Sequence, residues 1–218
     1  MNYKKLSEKN LCVSLANQSF KQCLDIVQKV SFAELRLDML MLKDEEYKQL
    51  FSYNTKFIAT CRYGETATDE RIAVLKNIID LGANFVDIEL ELDNKYFDEI
   101  LRYAKQKNCK VIVSYHNFER TPAKTELQEI IDTAKSKSAD YVKIACYAIT
   151  QKDVLKILSL YENNNNLIAF AMGEVGRISR VASLYMGAEF TYVASENGQE
   201  TAMGQLSINE MKQVFSLI

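Results

Sequence analysis

His116 is the only histidine in the chain, and it ends the apolar run Val111-Ile112-Val113-Ser114-Tyr115 just before Asn117. Imidazole is the side chain best suited to exchange protons near neutral pH, so the setting of a lone histidine matters. Lys143 lies inside a second apolar run, Tyr141-Val142-Lys143-Ile144-Ala145-Cys146. An ammonium group in a buried strand is costly unless it is paired or deprotonated, and the deprotonated amine is a nucleophile. Each residue has an ordinary structural reading: a hydrogen-bonded core histidine, and a lysine that snorkels to solvent from a strand end. Placed together on neighbouring strands, they favour a site that combines covalent and acid–base chemistry.

The elements that would hold such a site alternate regularly. Short apolar runs predict strands over 11–16, 33–38, 57–62, 85–90, 110–116, 141–146, 167–172 and 190–194. Between them, helical spacing predicts helices over 19–30, 44–53, 69–81, 95–107, 125–137, 151–162 and 178–186, with a last one near 207–217. Ile72, Leu75, Ile78 and Ile79 fall on one face of the third helix, and Gly82 stops it. Thr121-Pro122 and the run Asn163–Asn166 read as loops. Eight uninterrupted strand–helix units over 1–218 predict an α/β fold, a single-domain (β/α)8 barrel rather than an open doubly wound sheet.

Strand parity narrows the site. Residues two apart share a face. One parity collects Ser14, Glu34, Arg36, Thr60, Arg62, Asp87, Glu89, Ser114, His116, Lys143, Met172 and Tyr192. The other collects Val13, Leu35, Leu37, Cys61, Ile88, Val113, Ile144 and Ala171, which would pack against helices. A buried ion-pair network held only for stability would be expensive, which favours a reaction pocket at the C-terminal ends of the strands. Arg36, Arg62, Lys143 and Arg180 predict a positive excess there despite Glu34 and Glu89, hence a small anionic substrate. The glycines in Met172-Gly173-Glu174-Val175-Gly176-Arg177 suggest free backbone N–H groups at a helix start.

Composition excludes several classes of function. Hydrophobic residues make up 48%, charged residues 26%, and the net charge is −2, so neither disorder nor a nucleic-acid partner is expected. No apolar run is long enough to span a bilayer, and the polar N-terminal residues do not resemble a secretory signal. Cys12, Cys23, Cys61, Cys109 and Cys146 have neither zinc-site spacing nor an even count, and are expected to be buried thiols of a cytoplasmic protein. No metal and no cofactor is expected.

Several motifs occur in order over almost the whole chain: Glu34-Leu35-Arg36-Leu37-Asp38, Thr60-Cys61-Arg62, Asp87-Ile88-Glu89-Leu90, Val113-Ser114-Tyr115-His116-Asn117-Phe118, Val142-Lys143-Ile144-Ala145, Met172-Gly173 through Ser179-Arg180, and Ala202-Met203-Gly204-Gln205. In these the chain resembles the type I 3-dehydroquinate dehydratases, Schiff-base enzymes of the shikimate pathway. The resemblance implies that Lys143 forms an imine with the substrate ketone. It implies that His116 takes the C2 proton and returns it to the departing hydroxyl, with Glu34 beside it. It assigns ring and imine contacts to Arg36 and Arg62, the carboxylate to Arg180 with Gln205, and the pocket lining to Ser14, Met172, Tyr192 and Thr201. It also implies a cytoplasmic homodimer acting on 3-dehydroquinate.

Two departures from the family pattern stand out. Met203 replaces a usual proline, which would leave that loop less stiff, and Gln199 beside Gly198 competes with Gln205 for the site glutamine. The segment after Arg62 is short, which weakens any role for Glu65. A class I aldolase barrel, or a non-catalytic descendant that binds a metabolite, remain alternatives. The first would need a phosphate site, and the second would be expected to have lost Lys143 or His116.

Overall fold

The computed structural model describes residues 6–64, 68–196 and 199–217; Glu65 and Gly198 lie outside the described residues. The strands are β1 (Leu11–Leu15), β2 (Phe32–Arg36), β3 (Lys56–Thr60), β4 (Phe85–Glu89), β5 (Lys110–Asn117), β6 (Tyr141–Tyr147), β7 (Leu167–Met172) and β8 (Thr191–Ala194). The helices are α1 (Phe20–Val27), α2 (Asp44–Leu50), α3 (Thr68–Asp80), α4 (Asn94–Gln106), α5 (Lys124–Ser136), α6 (Gln151–Leu158), α7 (Arg177–Met186) and α8 (Ile208–Leu217). They follow the expected order, but β2 and β3 stop two residues early, at Arg36 and Thr60, and α1 and α2 stop three residues early, at Val27 and Leu50. The sixth helix tightens into a 3-10 turn over Ser159–Glu162, and a short 3-10 turn over Glu8–Asn10 precedes β1.

The strands run parallel in the order β7-β6-β5-β4-β3-β2-β1-β8. The barrel is therefore nearly closed, with a seam between β7 and β8 where no strand ladder forms. Side chains serve the open edge of β7: Tyr161 accepts from the Ala169 N–H at 2.6 Å, and Ser179 Oγ accepts from the Ala171 N–H at 2.8 Å. This is how a strand edge keeps its backbone donors satisfied without a neighbour.

The parity argument describes the packing. Val13, Leu35, Cys61, Ile88, Val113, Ile144 and Ala171 pack outward against the helices. Cys12, Phe32, Ile58, Phe85, Ile112, Ile168, Phe170, Phe190 and Tyr192 fill the barrel interior. Its N-terminal end is plugged by aromatic contacts, Phe32–Phe190 at 4.8 Å and Phe85–Tyr141 at 6.0 Å. The polar residues of the same strands therefore collect at the other end. All five cysteines are buried and free, and among the described residues no helix is long and apolar enough to cross a membrane.

Candidate active site

A cavity of about 310 Å³ opens at the C-terminal ends of the strands. The strands, helix α7 and the loops after β3 and β8 bring all eleven residues singled out above to its wall: Ser14, Glu34, Arg36, Arg62, His116, Lys143, Met172, Arg180, Tyr192, Thr201 and Gln205. Met39, Phe118, Ala145, Phe170 and Ala202 complete the lining. Gln205 is buried there, whereas Gln199 lies 3.4 Å from Gln18 outside this cavity, so the glutamine of the pocket is Gln205.

Lys143 stands at the centre, 4% exposed. Strand register sets Ser114 opposite Lys143 and Ala145 opposite His116, so the imidazole lies one side-chain layer nearer the mouth than the amine. The amine donates to Asp87 Oδ2 at 3.1 Å, lies 3.9 Å from Glu34 Oε1, and sits over the Tyr192 ring at 4.0 Å. Burial pulls the Lys143 pKa down, Asp87 opposes the shift, and Arg62 adds to it. A lowered pKa eases formation of the neutral amine. The His116 imidazole is likewise held well below its ordinary value by burial, then by Arg62 and Lys143, against an opposing pull from Asp87. It is therefore a neutral base at physiological pH. Phe118 stacks over it at 6.1 Å and is largely exposed.

Three expectations need correction. Glu34 was expected beside His116. Its carboxylate instead accepts from Ser14 Oγ at 2.8 Å and Thr60 Oγ1 at 2.9 Å, and it faces Lys143. Among the described residues, the carboxylate whose charge is felt at His116 is Asp87. Second, the positive excess is smaller than the strand residues suggest. Asp38 grips Arg36 through two hydrogen bonds of 3.1 and 2.7 Å. Asp87 pairs with Arg62 at 3.0 Å. Among the described residues of the cavity, the cation without a carboxylate partner is Arg180. Third, several of the amides after β7 are already engaged. Gly173 N–H donates to Met203 O, Gly176 N–H to Gly173 O, and Arg177 N–H to Glu174 O. These three amides are not free for an anion.

Asp87 is the residue that sequence reasoning placed on the inward face but gave no role. Buried at 3% exposure, it touches Arg62, Lys143 and Ser114, the last at 2.5 Å. Burial would raise its carboxyl, but Arg62, Lys143 and His116 hold it far below the usual carboxylate range. It stays ionised and locks the amine and one guanidinium in place.

Arg180 differs from every other cation of the site. It is 1% exposed, has no carboxylate partner among the described residues, and its Nε has no hydrogen-bond partner. One Nη donates to Met203 O at 3.3 Å, and the guanidinium lies over the Phe170 ring at 4.4 Å. Burial alone lowers its pKa to about 9, so it remains charged at neutral pH. A buried, unpaired guanidinium on a cavity wall has the charge and the free donors to bind a carboxylate. The loop that supplies Met203 is stitched to the loop after β7. Gly204 adopts φ +73°, and a side chain there would collide with the Gly173 carbonyl.

Comparison with known proteins agrees with this geometry. The model of the family described as Type I 3-dehydroquinase matches residues 11–218. A 3-dehydroquinate dehydratase of Pyrococcus abyssi is 34% identical, over 92% of this chain and 94% of its own. One from Methanocaldococcus jannaschii is 32% identical, over 95% and 98%. Among solved structures, a type I 3-dehydroquinate dehydratase from Clostridium difficile superposes with a TM-score of 0.83 at 25% identity, covering 98% of this chain and 93% of that one. A deoxyribose phosphate aldolase from Aeropyrum pernix shares only the barrel, with a TM-score of 0.61 at 15% identity. The aldolase alternative thus has the fold behind it and nothing more, and the chain belongs to the type I 3-dehydroquinase family.

Proposed function

We propose that this family member removes water from 3-dehydroquinate through an imine on Lys143, with His116 moving the protons. The observation that carries the assignment is one cavity that holds three things: a buried amine of lowered pKa, a neutral imidazole one layer above it, and a guanidinium without a carboxylate.

The division of labour follows from the geometry. The Lys143 ammonium gives up a proton and adds as the neutral amine to the ketone, and return of that proton to the carbinolamine hydroxyl expels water and leaves a protonated imine. This is a stronger electron sink than the ketone. His116 takes the proton from the adjacent carbon, and the C–H electron pair flows into the imine to give a neutral enamine. The enamine then expels the β-hydroxyl, which His116 protonates as it leaves as water. Hydrolysis of the conjugated imine releases 3-dehydroshikimate and restores the amine. Arg180, with Gln205 beside it, holds the substrate carboxylate. Glu34, kept in place by Ser14 and Thr60, and Arg62, kept in place by Asp87, flank the imine nitrogen; Arg36, Met172 and Thr201 line the ring site.

A cytoplasmic location fits the five free, buried thiols. A homodimer fits the exposed Leu155, Ile178 and Tyr185 on the neighbouring helices α6 and α7, a face that sedimentation of the native protein and of a Leu155→Glu variant would test. The enzymatic reading is tested by adding 3-dehydroquinate and following the ultraviolet absorbance of the enone. Borohydride added with substrate should leave a mass adduct on the peptide that contains Lys143. No enone, or an adduct on another lysine such as Lys110 or Lys135, overturns the assignment.

A further inference from the structure

We propose that Phe170 and Tyr192 are positioning residues, a pair of aromatic rings facing each other across the β7–β8 seam that seat the guanidinium of Arg180 and the amine of Lys143 at a fixed separation. The proposal rests on the assignment of the imine to Lys143 and of the substrate carboxylate to Arg180.

The two seats are geometrically alike. Lys143 Nζ lies 4.0 Å from the centre of the Tyr192 ring, and Arg180 Cζ lies 4.4 Å from the centre of the Phe170 ring. The rings are 6.1 Å apart and inclined at 58°, and both residues are 3% exposed. Phe170 belongs to β7 and Tyr192 to β8, the two strands that share no ladder, so this contact bridges the gap. The Tyr192 hydroxyl is buried with no hydrogen-bond partner. What the residue offers Lys143 is therefore its face.

A ring face suits both cations for a chemical reason. It attracts positive charge strongly when water is excluded. Unlike a carboxylate, it neither accepts a proton nor cancels the charge. Arg180 can thus be held still while its charge remains available to a ligand. At Lys143 the balance of the first step is ammonium plus ketone giving iminium plus water, so the nitrogen carries the same positive charge before and after. The neutral amine and the neutral enamine are the brief states between. Tyr192 therefore favours the charged forms on either side of the chemistry, and its distance from Phe170 sets how far the imine carbon lies from the carboxylate grip.

Two pairs of variants test the two seats. Tyr192→Leu removes one ring face, and the pH at which imine trapping by borohydride reaches half its maximum should move down by on the order of one unit, with about tenfold less adduct at saturating product. Tyr192→Phe should return that midpoint to its native position. Phe170→Leu should raise KM by about tenfold with a smaller change in kcat, and should weaken binding of a carboxylate-bearing ring far more than of the same ring without the carboxylate. Phe170→Tyr should recover most of that loss. A measurement on the unaltered protein needs no variant to fold: the ε-methylene protons of Lys143 should resonate upfield, shifted by the ring beneath them.

An unshifted Lys143 signal, an unmoved trapping midpoint in Tyr192→Leu, or a Tyr192→Phe variant as defective as Tyr192→Leu overturns the proposal for Tyr192. Equal weakening of both rings by Phe170→Leu overturns it for Phe170. Failure of the underlying assignment looks different, because the native protein would then show no adduct on Lys143 at all.

Discussion

Arg62 and Arg180 line the same cavity from opposite sides and are held in opposite ways. Arg62 reaches Asp87 at 3.0 Å, Ser114 at 2.9 Å and Glu89 at 3.7 Å, and Glu89 is in turn gripped by Arg71 at 2.6 Å. Arg180 has one carbonyl and a phenyl ring. The β2–β6 side is thus a compensated lattice of charge, in which each cation answers a carboxylate and the geometry is fixed before any ligand arrives. The β7–β8 side keeps one charge unanswered. Side chains of the same type are framework where they are paired, and under the proposed function the stability left unrealised at the unpaired Arg180 would be the binding energy available to a substrate carboxylate.

The largest expected effect tests the compensated side. Lys143→Ala should abolish the borohydride adduct and reduce turnover by on the order of 10⁴-fold or more, as loss of a covalent nucleophile does elsewhere. His116→Ala should still form the adduct while turnover falls by about 10²–10⁴-fold. Near-normal turnover in that variant would make the imidazole structural.

A stability comparison sets the two sides against each other. Asp87→Asn leaves Arg62 and Lys143 with an uncancelled buried charge and should destabilise the fold by about 3–5 kcal/mol in a denaturant titration. Arg180→Met removes a buried charge that has no partner. It should raise KM steeply and stabilise the free protein by about 0.5–2 kcal/mol. Equal destabilisation by both substitutions would erase the distinction between framework and receptor.

The pH profile sharpens it further. In the proposed reaction His116 and Lys143 both act as neutral groups and both are held below their ordinary pKa values, so the acid limb of kcat/KM should lie below the usual lysine value near 10.4. Arg62 lowers both groups and Asp87 raises both. Arg62→Gln should therefore shift the acid limb up, and Asp87→Asn should shift it down. On the alkaline side, KM should climb as the pH passes about 9, where Arg180 begins to lose its charge. The smallest effect belongs to Thr201→Val. It removes one 3.1 Å hydrogen bond to Gln205 and should raise KM only a few-fold, the equivalent of about 0.5–1.5 kcal/mol.

The barrel was legible because period-two and period-3.6 patterns alternate cleanly, and the pocket because its polar residues share one strand parity. What escaped depends on relations that a single strand does not carry. Asp87 could be placed on the inward face, but its grip on Arg62 and Lys143 spans β3 to β6 and needs the register of three ladders. Phe170 reads as one more apolar residue of β7 until Arg180, from the following helix, is laid over its ring. The glycine-rich turn after β7 looked like an anion cradle because the carbonyl that occupies the Gly173 amide comes from Met203, thirty residues further on. Arg36 and Asp38 were different: two residues apart in one motif, they could have been paired from the sequence alone.

The unzipped edge of β7 also bears on how this protein behaves in company. A bare row of backbone amides invites any extended peptide to dock, and the same chemistry that completes a sheet also seeds precipitation. Tyr161 and Ser179 occupy the amides of Ala169 and Ala171 before a stranger can. The fold can therefore leave its active-site wall unsewn, free to be shaped by side chains, without offering a crowded cell a place to begin an aggregate.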